Sequence, residues 1–331
     1  MKSSAHPNFY TDLALETCEQ LADETPNNLN GVTMNVEQDE EHPITTTWVK
    51  ITNPEGELAM GKPIGNYITI ESPLIKESDP LAHEKISRLL AQKLGELHPL
   101  PQDALILVVG LGNWQVTPDA LGPLVCEKML VTRHLQEIMP PELQGRVRPV
   151  CALRPGVMGL TGIETAEIIL GVTQRIAPSL IIAIDALAAR RTARVNATIQ
   201  ISDTGINPGA GLGNKRVSIN EKSVGVPVVA IGVPTVVDAA TLVNDTMDNI
   251  IHALKNAAPK GEAFFNMLEN MEGEERYTLI REVLDPEAGN MFVTPKEVDA
   301  VMGRLAHVIA GALNMALHPG VTAEDVNRYL N

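Results

Sequence analysis

Apolar residues recur along the chain in two rhythms. Four stretches are almost continuously apolar: ALILVVGLGN (104–113), RVRPVCAL (146–153), SLIIAIDAL (179–187) and VPVVAIGVP (226–234). Strands that do not alternate are covered on both faces, so these predict a largely parallel sheet between helical layers. Between them lie helical patterns. Residues 80–96 place Ile86, Leu89, Leu90 and Leu94 on one face. Residues 117–135 read as a helix with Thr117 as N-cap and Pro118 in the first turn. GIETAEIILGVTQRI (162–176) and VVDAATLVNDTMDNIIHAL, which follows the fourth strand, are further helices. The last, 293–318, carries a capping-box pattern in Thr294, Pro295 and Glu297. Nearer the start, LALETCEQLA after Thr11-Asp12 predicts a capped helix. ITTTWVKI, a turn at Asn53-Pro54-Glu55-Gly56 and NYITIES read as a β-hairpin or edge strands. The fold class is therefore α/β, a three-layer α/β/α arrangement with a largely parallel central sheet and a peripheral β-hairpin region at 44–72.

The length, 331 residues, suits two domains or one large α/β domain. With 44% apolar and 20% charged residues, a disordered or fibrous chain is excluded. The balance of 26 basic against 41 acidic residues, net −15, repels polyanions, so no direct nucleic-acid binding is expected. Three distant cysteines, Cys18, Cys126 and Cys151, make neither a disulfide framework nor a CxxC metal site and fit a reducing compartment. The N-terminus lacks the apolar core of a secretory leader, and no run approaches about 18 apolar residues without breakers. A cytoplasmic protein with no membrane partner is the expectation. Residues 1–48 hold nine acids against Lys2 alone and are expected to be loosely held; residues 256–276 read as a variable surface connection.

In open α/β sheets, reactive groups collect beyond the carboxyl ends of strands. Asp119, just after the 104–113 strand, and Asp185, at the end of SLIIAI, both qualify. If their strands are neighbours, two carboxylates share a site and split their pKa values, one activating water while the other donates a proton. Taken singly, Asp119 also reads as a helix-start charge and Asp185 as a strand cap. Gly110-Leu111-Gly112-Asn113 invites a phosphate-binding reading but is neither GxGxxG nor a Walker loop, and reads as a tight turn or as a lining of the cleft. Gly205, Gly209, Gly211 and Gly213 make a substrate flap or a surface loop. Arg190, Arg191 and Arg194 form a basic cluster, either a binding or a solvated face. No HExxH or GxSxG appears, and His134, His307 and His318 read as helix-surface or core-edge residues.

VVGLGNWQVTPDALGP (108–123), RPGVMGLTGIETAEII (154–169), IIAIDALAARRTARVNATIQISDTGINPGAGLGNKR (181–216) and AIGVPTVVDA (230–239) resemble the germination proteases of spore-forming Firmicutes, from about Tyr10 to the last helix. The chain is shorter than such proteins around 256–276. The resemblance implies an atypical aspartic endopeptidase, similar in fold to hydrogenase-maturation proteases. It would degrade small acid-soluble, DNA-protecting spore proteins during germination, in the forespore and spore core, as a homotetramer without a cofactor or metal. The family's catalytic aspartates fall on Asp119 and Asp185. Its zymogen processing motif resembles Thr11-Asp12-Leu13-Ala14, implying a pro-segment of residues 1–12, a cut between Asp12 and Leu13, and a catalytic domain of 13–331. The resemblance also implies an acidic residue before the cut; beyond the resemblance, the residues themselves suggest Arg190, Arg191 or Lys215 as its binder and the N–H groups of Gly110, Gly112 and Asn113 as oxyanion donors. Two alternatives stay open: a metal-dependent maturation-type peptidase and a non-catalytic spore-protein binding module.

Overall fold

The computed structural model describes residues 11–24, 30–140, 145–208, 216–257, 280, 283 and 291–321. Nine strands form a single sheet: β1 Val32–Gln38, β2 Thr45–Ile51, β3 Gly65–Glu71, β4 Ile106–Gly110, β5 Val150–Leu153, β6 Leu180–Ala189, β7 Thr198–Ser202, β8 Val228–Asp238 and the short β9 Phe292–Val293. Their order is β1-β2-β3-β7-β8-β6-β4-β5, with β9 against β8. The four expected apolar strands, β5, β4, β6 and β8, are mutually parallel. On the other side β7, β3, β2 and β1 follow in antiparallel register. The predicted peripheral hairpin thus extends the same sheet, and β3 is an interior strand.

Helices cover both faces. They are α1 Ala14–Glu24, α2 Pro54–Met60, α3 Pro80–Leu97, α4 Leu121–Glu127, α5 Met158–Thr161, α6 Thr165–Ile176, α7 Glu221–Val224, α8 Ala239–Ala257 and α9 Val298–Leu317. Alternation within the strands sorts the core. Ile106 and Val108 of β4, Ile182 and Ile184 of β6 and Ile199 and Ile201 of β7 pack against α3, α4 and α9. Leu107, Val109, Ile181 and Ala183 face the opposite way, onto α6 and α7. A third cluster joins α1 and α2 to β2 and β3 through Ala14, Cys18, Met60, Val49 and Tyr67. Cys18, Cys126 and Cys151 are all free thiols. Of the described helices, α9 alone has the length and apolarity to cross a membrane, and 67% of it is buried in the core.

Three local expectations, one for a turn and two for helices, are corrected. The turn at 53–56 opens a short helix, because the Asn53 side chain accepts from Gly56 N–H and Pro54 occupies the first turn. The 117–135 helix is broken into a 3₁₀ turn, Thr117–Asp119, then α4, then a second 3₁₀ segment, Arg133–Ile138. Thr117 therefore caps nothing; the turn is preceded by Val116, with no side-chain cap. The capping box at Thr294 does not form either. Pairing of Phe292 and Val293 with β8 draws this segment onto the sheet, and the Thr294 hydroxyl donates to the Thr235 carbonyl. Helix α9 starts at Val298 without a side-chain cap.

Candidate active site

β4 is the point where the chain reverses its order across the sheet: β5 lies on one side of it and β6 on the other. The helix after β4 packs on one face of the sheet and the helix after β5 on the other, which opens a crevice at the carboxyl ends of β4 and β6. Both aspartates sit there. The pairing of β4 with β6 ends at Gly110 and Ile184, so Asp185 is the first β6 residue beyond its neighbour's end.

Asp119 reaches the crevice through close backbone approaches. Gly112 has φ of +106°, and a Cβ there would lie 2.0 Å from the Asp119 carbonyl oxygen. At Gly122 a Cβ would stand 2.4 Å from the Leu111 carbonyl and 2.6 Å from that of Ile184. Only glycine lets the 117–122 turn fold so tightly over the strand ends. The turn is held by the Thr235 hydroxyl, which donates to the Pro118 carbonyl at 2.7 Å, and by Asn113 N–H, which donates to Asp119 Oδ2 at 2.7 Å. Gly112 and Asn113 therefore act on the seating of Asp119, the Asn113 N–H being spent on its carboxylate, while Gly110 lets α4 approach β4, a Cβ there lying 2.2 Å from the Gly122 carbonyl oxygen.

The two acids line one cavity of about 350 Å³ with Asp12, Val116, Thr235 and Phe292. Asp185 is 5% exposed, and its Oδ1 accepts from Ala186 N–H at 3.0 Å. Burial raises its pKa well above the carboxylate range, with further push from the charges of Asp119 and Asp12. Burial raises Asp119 too, against the Asn113 hydrogen bond and the Arg216 charge. Burial and the mutual repulsion of the two acids thus favour a proton retained within the pair.

The segment Thr11–Leu13 lies in this crevice. Asp12 N–H donates to Ala188 O at 3.1 Å and Asp12 Oδ2 accepts from Ala188 N–H at 2.9 Å, so the segment runs along the end of β6. Leu13 is fully buried among Leu187, Ala189, Val195 and Val237. The Asp12 carbonyl accepts from Lys62 Nζ and from Gln200 Nε2. One turn along α1, the buried Glu16 carboxylate accepts from Arg190 N–H at 2.7 Å, Arg191 N–H at 2.9 Å and the Thr11 hydroxyl. Arg194, 6% exposed, is bound through Nη1 and Nη2 to Glu19 and through Nε to Glu71. The basic cluster thus anchors α1: Arg190 and Arg191 through main-chain N–H groups, and Arg191 and Arg194 through guanidinium pairs with Glu19. Lys215, Gly209, Gly211 and Gly213 lie outside the described residues, as does most of 256–276.

Lys62, Gln200, Arg216 and Ala188 escape the sequence reading. Lys62 has no motif around it. Gln200 carries a faint signal, a large polar side chain in the wholly buried strand TIQIS, where Thr198, Gln200 and Ser202 alternate with two isoleucines. Among the described residues, no group of three or more His, Cys, Asp or Glu is placed to hold a metal ion.

Two acids raised by burial at the switch point of an α/β sheet, with a peptide segment lying beside them, are an arrangement suited to acid–base hydrolysis of a peptide bond, the chemistry of the peptidase class. Comparison with known proteins agrees: the germination protease family model matches residues 10–263 and 254–330. Germination proteases of Clostridium tetani (49% identical over 321 residues, 97% of this chain and 99% of the relative), Clostridium perfringens (48% over 324, 98% and 99%) and Bacillus pumilus (44% over 356, 96% of each) resemble it end to end. The chain belongs to the germination protease family and is an endopeptidase of spore germination.

Proposed function

We propose that the chain is a zymogen whose Asp119–Asp185 pair cuts small acid-soluble spore proteins after acidic residues, and first cuts itself between Asp12 and Leu13. The observation that carries this reading is the shared cavity: Asp119, Asp185 and Asp12 line the same 350 Å³ space. Asp119, the more ionised member, takes a proton from water as the oxygen attacks the carbonyl carbon. Asp185, the protonated member, supplies the proton that the breaking bond requires. The acidic side chain before the cut is received at the end of β6, as Asp12 is by Ala188 N–H. Residues 1–12 would then block the cleft in the manner of a bound substrate until they are removed. The site of action is the forespore and spore core, and the assembly is a homotetramer.

The test is intact-mass analysis of an acid-soluble spore protein incubated with the self-processed wild type, beside D119N and D185N chains, with and without chelator. Cuts after Asp or Glu that vanish in both variants and persist with chelator are expected. Full cleavage by either variant removes that residue from the mechanism. Chelator-sensitive cleavage favours a metal-dependent peptidase, and binding without turnover favours a binding module.

A further inference from the structure

Asp12 has a second cavity on its other side. This space, about 340 Å³, is lined by Lys62, Gln200, Ser202, Thr204 and Asn220, while Asp12, Leu187 and Asn207 line both cavities. The segment therefore lies across one trough, with the acids on one flank and polar donors on the other. The Asp12 carbonyl oxygen accepts from Lys62 Nζ at 3.0 Å and from Gln200 Nε2 at 3.3 Å. Gln200 Oε1 accepts from Ala14 N–H at 2.7 Å, which leaves its amide NH₂ for that carbonyl. One side chain thus spans the main chain on both sides of Leu13. Lys62 donates its hydrogen bond to a neutral carbonyl; burial lowers its pKa, while the charges of Asp12 and Glu16 favour its cationic form. A cation placed on a carbonyl gains most when that oxygen becomes negative.

We propose that Lys62 and Gln200 bind the carbonyl oxygen of the peptide bond being cut, and stabilise the charge that builds on it. This rests on the reading of Asp12–Leu13 as the processing bond. Water adds to the Asp12 carbonyl carbon as Asp119 takes its proton, and the electron pair of the C=O bond moves onto the oxygen facing Lys62 and Gln200. As the C=O bond re-forms, the C–N bond breaks and the nitrogen of Leu13 takes the proton of Asp185. The products are a carboxylic acid at Asp12, which ionises, and an amine at Leu13. With the oxygen held by Lys62, the proton of Asp185 is reserved for the leaving nitrogen.

The test is the rate at which the full chain loses residues 1–12, followed by intact mass, for wild type, K62M, K62R, Q200L, D119N and D185N, with melting temperature measured for each. K62M is expected to slow processing by about 10²- to 10³-fold, as loss of an oxyanion donor does. Q200L is expected to slow it by about 10-fold and K62R to recover most of the K62M loss, with melting temperatures little changed. Processing by K62M close to the wild-type rate overturns the proposal, as does a K62R chain no faster than K62M. Should K62M fail to fold, Q200L interrogates the same oxygen, and an unchanged Q200L rate counts against the proposal. A wild type that never cuts at Asp12–Leu13, or a D119N or D185N chain that still does, overturns the parent reading and this one with it. Loss in the aspartate variants with none in K62M and Q200L overturns the clamp alone.

Discussion

Asp185 is held in the folded chain at a cost. Its raised pKa means that the folded state binds the proton more tightly than the unfolded state, so its contribution to stability falls as pH rises from the unfolded carboxyl pKa, about 3.9, through the higher folded value. Asp185→Asn removes that penalty and keeps an acceptor for Ala186 N–H. It should abolish cleavage yet raise the melting temperature at neutral pH by roughly 2 °C or more, read by calorimetry. Asp119 and Asp185 were legible as candidates from their places after apolar strands, each with a structural reading beside it, and the resemblance rather than the pattern singled them out together. Lys62 was not legible, because its role depends on Gln200 of β7, a strand that begins 136 residues further along the chain and lines the same cavity.

At the scale of elements, strands read well and helix ends read poorly. A buried parallel strand is specified by its own residues, whereas a helix boundary is settled by what the flanking chain must reach. Thr294 has the sequence of a cap, but its hydroxyl serves the Thr235 carbonyl because β9 pairs with β8. The glycine turn before Asp119 was read as a possible lining of the cleft, and its contacts give it a seating role. Gly112→Ala should cost about 2 kcal/mol or more in urea unfolding, from a strained φ and a clash with the Asp119 carbonyl, and should lower activity through displacement of Asp119. The ion network that ties α1 to β3 offers a second check. Arg194→Met leaves Glu19 and Glu71 without their shared partner in a poorly solvated place, at a cost of about 3 kcal/mol, and faster amide exchange in α1 would report it.

Across the whole molecule, one buried histidine sets part of the acid limit. His318 is fully buried after α9, its ring bonded to the Leu130 carbonyl, and burial with the Arg148 charge lowers its pKa to about 4. The unfolded chain takes up that proton near pH 6.5, so the stabilisation is complete above 6.5 and is lost as pH falls towards 4. About 3 kcal/mol is at stake by linkage, and a His318→Gln chain should show a flatter melting profile between pH 6.5 and 4.

Helix α9 also packs against α3, α4 and the Thr117–Asp119 turn, so the seat of Asp119 rests on a helix encoded some 180 residues later. A ribosome therefore completes Asp12, Asp119 and Asp185 long before it supplies the support beneath the second of them. Under the proposed self-processing, translation itself would act as a timer: a nascent or prematurely terminated chain would carry these three acids without the helix that supports Asp119. Chains ending at residue 297 should therefore remain uncut where full-length protein made in parallel is processed, a comparison that intact mass reads.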